Sequence, residues 1–206
     1  SPNTPGLRNL QSRESLREAL RLLEVHGFVT IRRGPGGGPI VGTVDPAAFG
    51  RMATMFFQMG GATYDELYDA WSAAEVLLAG LAARHPDRAH RAEVMAPFLG
   101  DGRVHEASPS SEQAEFHAAL AELTGNRVLQ ITMQLYGQIV TYHAVAGDVA
   151  GAQISTVFHD HREIALAVRA GHPLKARAAM EDHVARVVAR LRQNPDTPGD
   201  RIVAWL

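Results

Sequence analysis

Three histidines have the residue type and spacing best suited to chemistry. His117 directly follows Phe116 and precedes Leu120 by one helical turn, which puts it on an apolar face. His161 is bracketed by Ile154, Val157, Phe158, Ile164 and Val168 at helical offsets, and His183 falls between Met180, Val184 and Val187 in the same way. His159 is two residues from His161, roughly 200° round a helix, and so faces outward. A single inward imidazole is more often a hydrogen-bonded core side chain than a ligand. Three of them on separate helices form a ready site for zinc, nickel or a related divalent ion. Gln113, one turn before His117, points the same way. Its amide oxygen is a candidate weak fourth ligand, and its nitrogen a candidate donor to a bound molecule.

A second constellation lies at the start of the chain. Ser12 caps a helix that runs from Arg13 to His26 and stops at Gly27. Leu16, Leu20 and Leu23 form its inward face, while Arg13, Arg17 and Arg21 recur along its exposed side. A hairpin follows: Phe28 to Arg33, a tip from Gly34 to Pro39, then Ile40-Val41. A cationic helix followed at once by a glycine-tipped hairpin has the form of the second half of a winged helix-turn-helix. Arg13 and Arg17 are placed to read guanine edges or clamp phosphates, and Ser12 and Ser15 to donate to phosphate. Arg32 and Gly37 belong to the wing, where glycine allows close approach to a DNA backbone. The alternative is an amphipathic surface helix with solvated arginines. Charge favours the first reading: residues 1–44 hold six arginines against three glutamates, whereas the remainder holds 14 basic and 19 acidic residues. A basic head on an acidic body suits a polyanion-binding head whose body does something else.

The elements that must position the histidines are helical. From Asp45 onward no strand pattern appears, and amphipathic helices are expected at about 45–59, 63–84, 86–99, 109–124, 126–146, 151–170 and 173–193, with a loop from Asp101 to Ser110. The fold class is therefore mostly α: a partial winged helix-turn-helix over residues 1–44, then an antiparallel helical bundle over 45–206. An apolar fraction of 46% supports a sizeable core, and 6% aromatics favour helix over sheet. The absence of cysteine excludes a disulfide framework, a thiolate metal site and a cysteine nucleophile. With no membrane-length apolar run and no signal-peptide core at Ser1 to Gly6, a cytoplasmic protein is expected.

The run Ser12 to Glu24, continuing through His26-Gly27-Phe28-Val29 to the Gly36-Gly37-Gly38 tip, resembles the recognition helix and wing entry of the GntR family of bacterial transcription regulators. That family's DNA-binding domain has two helices before this one. Only Leu7 to Gln11 correspond to the second, so the first is expected to be missing. Phe116 to Asn126, His161-Arg162-Glu163-Ile164 and Met180 to Val184 resemble the effector-binding helical domain, called FCD, of the FadR subfamily. The resemblance covers about residues 46–193 and implies an Asp-His-His-His metal site beneath an effector cavity. Here Gln113 stands at the aspartate position, so metal affinity is expected to be weakened or lost. Asp65 to Glu75 is similar to the helix that offers an arginine to an effector carboxylate, but the matching residue is Trp71. Trp71 is either core or a stacking wall for a less anionic or more apolar effector. Tyr136, Gln138, Tyr142 and Arg51 are further effector-site candidates.

The function implied is a ligand-responsive, DNA-binding transcription regulator, expected to be a repressor, acting as a symmetric homodimer on operator DNA. Competing classes are a metal-dependent enzyme and a helical small-molecule sensor that does not touch DNA. Against an enzyme, there is no HExxH spacing, and Asp160, Glu163, Glu181 and Asp182 are expected to face away from the histidines.

Overall fold

The computed structural model describes residues 13–42, 46–100, 109–145, 151–195 and 198–204; within helices, the side chains at 46–47, 109–112, 141–145 and 151–158 fall outside the description. Ser12, the side chain of Tyr142 and the expected loop from Asp101 therefore lie outside the described residues. The chain divides into two units, Ser1–Phe49 and Gly50–Leu206.

In the first unit, helix α1 (Arg13–Val25) is followed by the antiparallel strands β1 (Val29–Arg32) and β2 (Gly38–Val41). Gly27 ends α1 at φ 75°, and Phe28 N–H bonds back to the Leu23 carbonyl at 2.9 Å, the closure that a left-handed residue after a helix makes. Val29 pairs with Val41, and Arg32 with Gly38. At the hairpin tip a Cβ on Gly37 would collide with the Arg32 carbonyl, so only glycine fits. The hairpin is tied to the helix by Ile31 N–H donating to Glu24 Oε1 at 3.2 Å. One expectation needs correction. The leucine stripe of α1 is not an inward face among the described residues: Leu16 is 52% and Leu23 40% exposed, and α1 buries no residue. A stripe of this kind is covered only by elements packed across it, and the hairpin touches the helix elsewhere.

Helix α2 (Pro46–Met59) leads into the second unit, which contains α3 (Tyr64–Ala82), α4 (Arg88–Met95), α5 (Pro109–Leu123), α6 (Arg127–Val145), α7 (Gly151–Ala170) and α8 (Pro173–Leu191). The helical body and two-stranded hairpin are the fold class read from the sequence. The single helix expected over 86–99 is instead α4 and a 3-10 turn (Ala96–Leu99). Pro97 has no N–H to continue the α ladder. Helix α3 is central: it packs against α5, α6, α7 and α8, while α8 also packs on α7. Its buried stripe is Tyr64, Tyr68, Trp71, Glu75, Leu78 and Ala82, spaced alternately four and three residues apart. This is the period that keeps one helical face against the core. Phe116 of α5 is fully buried against Phe98 of the 3-10 turn, their ring centroids 5.1 Å apart and edge-to-face.

The start of α3 is registered twice. Thr63 caps it, its Oγ1 accepting from Glu66 N–H at 3.3 Å while Glu66 Oε2 accepts from Thr63 N–H at 2.8 Å. The segment after α8 returns to the same end, where Tyr64 and Asp65 donate to the carbonyls of Arg201 and Gly199 at 2.9 and 2.8 Å, and Val203 donates to Ala62 at 2.9 Å. Cap and tail thus satisfy amides that a helix start leaves without intrahelical partners. Thr63→Ala is expected to lower unfolding stability by about 1 kcal/mol, measured by urea denaturation followed by circular dichroism; an unchanged midpoint would mean the tail alone holds this end.

Candidate metal centre

Helices α5, α7 and α8 each bring one histidine to a common point beside α3. The nitrogen donors of His117, His161 and His183 lie within 4.8 Å of one another. Tetrahedral zinc with N–Zn bonds of about 2.0–2.1 Å sets its ligands roughly 3.4 Å apart. Small rotations of the side chains would bring them together. His161 stacks on Phe116 at a centroid distance of 4.1 Å and an interplanar angle of 16°. Its ring also meets His183 at 4.8 Å and His117 at 5.4 Å. His161 and His183 are closed to solvent, whereas the His117 side chain keeps 13% of its surface accessible.

The protonation pattern suits metal binding. Burial pushes His161 well below the ordinary histidine pKa, and the neighbouring His117 and His183 add to the shift. Burial also lowers His183, partly offset by its hydrogen bond to Asp160. Neutral imidazoles with available lone pairs are what a divalent ion requires. Asp160 Oδ2 lies 3.3 Å from His183 Nδ1, so Nδ1–H donates to the carboxylate and Nε2 is left as the ligating atom. Arg186 grips the same carboxylate through Nη2 at 2.7 Å and Nε at 3.1 Å. Burial raises Asp160, but the hydrogen bonds from His183 and Arg186 outweigh it and its carboxyl sits below the usual aspartate value.

Asp160 corrects an expectation: it was placed facing away from the histidines, and it touches one of them. Viewed on α7 alone, Asp160 is about 100° from His161, and only the packing of α8 covers that flank. Glu163, Glu181 and Asp182 are exposed, as expected, and so is His159. Glu75 was missed altogether. It is 1% exposed. Its Oε1 accepts from Trp71 Nε1–H at 3.0 Å, and its Oε2 lies 2.9 Å from His117 Nδ1, off the line of a hydrogen bond. The signal that could have found it is an acid at a core position of the α3 stripe. Trp71 itself is buried beside His117, with ring centroids 6.4 Å apart.

The remaining candidates lie on α2, α5 and α6. Gln113 is half-buried on α5, Tyr136 and Gln138 are half-buried on α6, and Arg51 is exposed on α2. Arg13, Ser15, Arg17, Arg32 and Gly37 are all exposed in the first unit, as contact with a nucleic acid requires.

A bundle holding one histidine on each of three helices can be compared with known proteins. The model of the FCD domain matches residues 66–186. The chain belongs to the FCD domain family. All three histidines and Glu75 fall within the matched FCD segment. The chain is also similar in fold to a GntR protein of Streptococcus agalactiae, with a TM-score of 0.59 and 23% sequence identity over 85% of this chain and 81% of that one. The curated proteins contain no match. No helix among the described residues is long and apolar enough to cross a membrane.

The lowered histidine values set a pH dependence. An unfolded histidine takes up a proton below about pH 6.5, while His161 and His183 resist it in the folded state. The unfolded state then binds more protons, so stability of the metal-free protein falls as pH drops below that value, by up to about 1.4 kcal/mol per pH unit for each histidine. Asp160, shifted below its own ordinary value, adds stability that is lost only in stronger acid. Urea titrations between pH 5 and 8 check this, and His161→Gln is expected to flatten the slope; an equal slope in both proteins would contradict it.

Proposed function

We propose that this chain carries the sensing body and DNA-reading elements of a ligand-responsive transcription regulator of the GntR family, FadR subfamily. The observation that carries the reading is the pairing, on one FCD-family chain, of a buried three-histidine cluster with an exposed arginine helix and glycine-tipped hairpin. The head contacts an operator and the body takes up a small organic effector. Arg13 and Arg17 lie one turn apart on the exposed face of α1, the spacing of side chains that enter a major groove together. Arg32 and Gly37 are at the hairpin, placed for the neighbouring phosphates.

The residues of the cluster fit a divalent ion: both ring nitrogens of His117, Nε2 of His183 and Oε2 of Glu75 are buried with no hydrogen-bond partner among the described residues. His117, His161 and His183 would hold zinc or nickel, which when bound supplies a positive charge to anchor an oxygen of the effector. The protein's own groups do the rest. Phe116 holds the plane of His161 by stacking, and Asp160 with Arg186 fixes the tautomer of His183. Trp71 is buried and bonded to Glu75, and at the position where the family resemblance implies an arginine it brings no cation for an effector carboxylate. That supports an effector with less anionic or more apolar character than a simple carboxylic acid. Tyr136, Gln138 and Arg51 are the further contacts we assign to it, with Tyr142.

Regulation requires only that the effector favour one state of a homodimer over another. A coupling of about 1 to 3 kcal/mol changes operator affinity roughly 5- to 150-fold. Met55, Phe56 and Met59 leave apolar surface exposed on α2, which supports an assembly of two copies. We read the outcome as repression, and the body as a sensor with no catalytic role. In the intact protein, Arg17→Ala is expected to weaken specific operator binding by about 1 to 3 kcal/mol, measured by gel retardation at several salt concentrations, with the thermal unfolding of the body unchanged. Wild-type affinity in that variant would remove α1 from the groove.

A further inference from the structure

Burying a carboxylate is costly unless both oxygens find partners, and Glu75 meets that condition on one side only. Oε1 is held by the indole N–H of Trp71 one turn earlier on α3. Oε2 is buried without a hydrogen bond and sits 2.9 Å from a His117 nitrogen that is equally unsatisfied. Nε2 of His183 lacks a hydrogen bond in the same cluster. Glu75 adjoins the three-histidine group through its ion-pair contact with His117 alone, and a cation bound among the histidines is the partner that would satisfy its carboxylate and their imidazole lone pairs at once. Asp160 cannot serve in this role, because Arg186 and His183 Nδ1 already occupy its two oxygens. Gln113, the neighbour of His117 on α5, is an amide and brings no charge.

We propose that Glu75 is the anionic ligand of a divalent ion held with His117, His161 and His183, and that Trp71 is the positioning residue that turns its carboxylate toward them. The inference rests on the metal-binding part of the proposed function and deepens it. The negative charge absent from position 113 comes instead from a different helix, α3. It also gives Trp71 a definite task. An indole at that position donates one hydrogen bond to Oε1 and leaves Oε2 beside His117, which would couple the metal to the helix on which the bundle is built.

The test is a double-mutant cycle on chelator-stripped protein. Zinc affinity is measured by competition with a chromophoric chelator, and cobalt(II) is followed by its visible absorption. Glu75→Gln, which still accepts from Trp71, is expected to weaken zinc roughly tenfold or more and to shift the cobalt band, since a ligand atom has changed. Gln113→Asp is expected to gain little in the wild-type background but to recover most of the loss in the Glu75→Gln background, because the two carboxylates answer the same need. Trp71→Phe keeps the aromatic volume, removes the N–H, and is expected to weaken zinc several-fold; it carries the test if Glu75→Gln fails to fold. Wild-type zinc affinity and an unshifted cobalt band in Glu75→Gln, or an equal gain from Gln113→Asp in both backgrounds, overturns the assignment of Glu75 while leaving the histidine site standing. Failure of all four members of the cycle to bind zinc or cobalt overturns the metal reading itself, and this inference with it.

Discussion

The body of this protein is organised around a debt of polar atoms at its centre. Three imidazoles and a carboxylate lie beside the buried rings of Phe116 and Trp71. Apolar packing of that kind strengthens every electrostatic interaction inside it and makes every unmet lone pair expensive. Part of the cost is met locally: Trp71 bonds one oxygen of Glu75, and Asp160, held by Arg186, bonds one nitrogen of His183. The histidine nitrogens converge on one another, and Glu75 Oε2 lies beside one of them. A core assembled for stability alone would place leucine there, so the polar cluster is best understood as the part of the fold given over to binding.

The helices explain how three imidazoles meet and how Glu75 comes to lie beside one of them. Each donor comes from a different helix, α3, α5, α7 or α8, and none of those pairs is close in sequence. Their convergence depends on α3 keeping its register, because α3 packs against all the other three. The Thr63–Glu66 cap and the returning segment from Gly199 to Val203 fix where α3 begins, and through its alternating four-three stripe they fix where Glu75 points. An ion bound at the cluster would therefore join four helices and respond to the position of any one of them. That is the property a sensing domain needs in order to turn a local binding event into a change elsewhere in the protein.

The histidine trio was legible in the sequence because helical spacing decides which way a side chain points, and His117, His161 and His183 each sit among apolar residues at that spacing. Most helix spans were legible for the same reason, with Gly27 marking the end of the first. The misses have a common physical origin, since periodicity within one helix does not say what packs against its flanks. Asp160 lies off the apolar face of α7, yet α8 covers it. Glu75 lies on the apolar face of α3, where its charge drew attention away from its position. Leu16 and Leu23 have the pattern of a buried stripe and stand exposed, because their pattern says only that the face is apolar. The break at Pro97 was available from the residue type alone.

The central claim, that the cluster is a cation site within a sensing bundle, is tested most directly by anomalous diffraction at the zinc edge from crystals of the zinc-loaded protein. A single strong peak within bonding distance of His117, His161 and His183, with a fourth contact from Glu75, is the predicted result. A map with no peak there, or with zinc only on surface histidines such as His85 and His90, would contradict it.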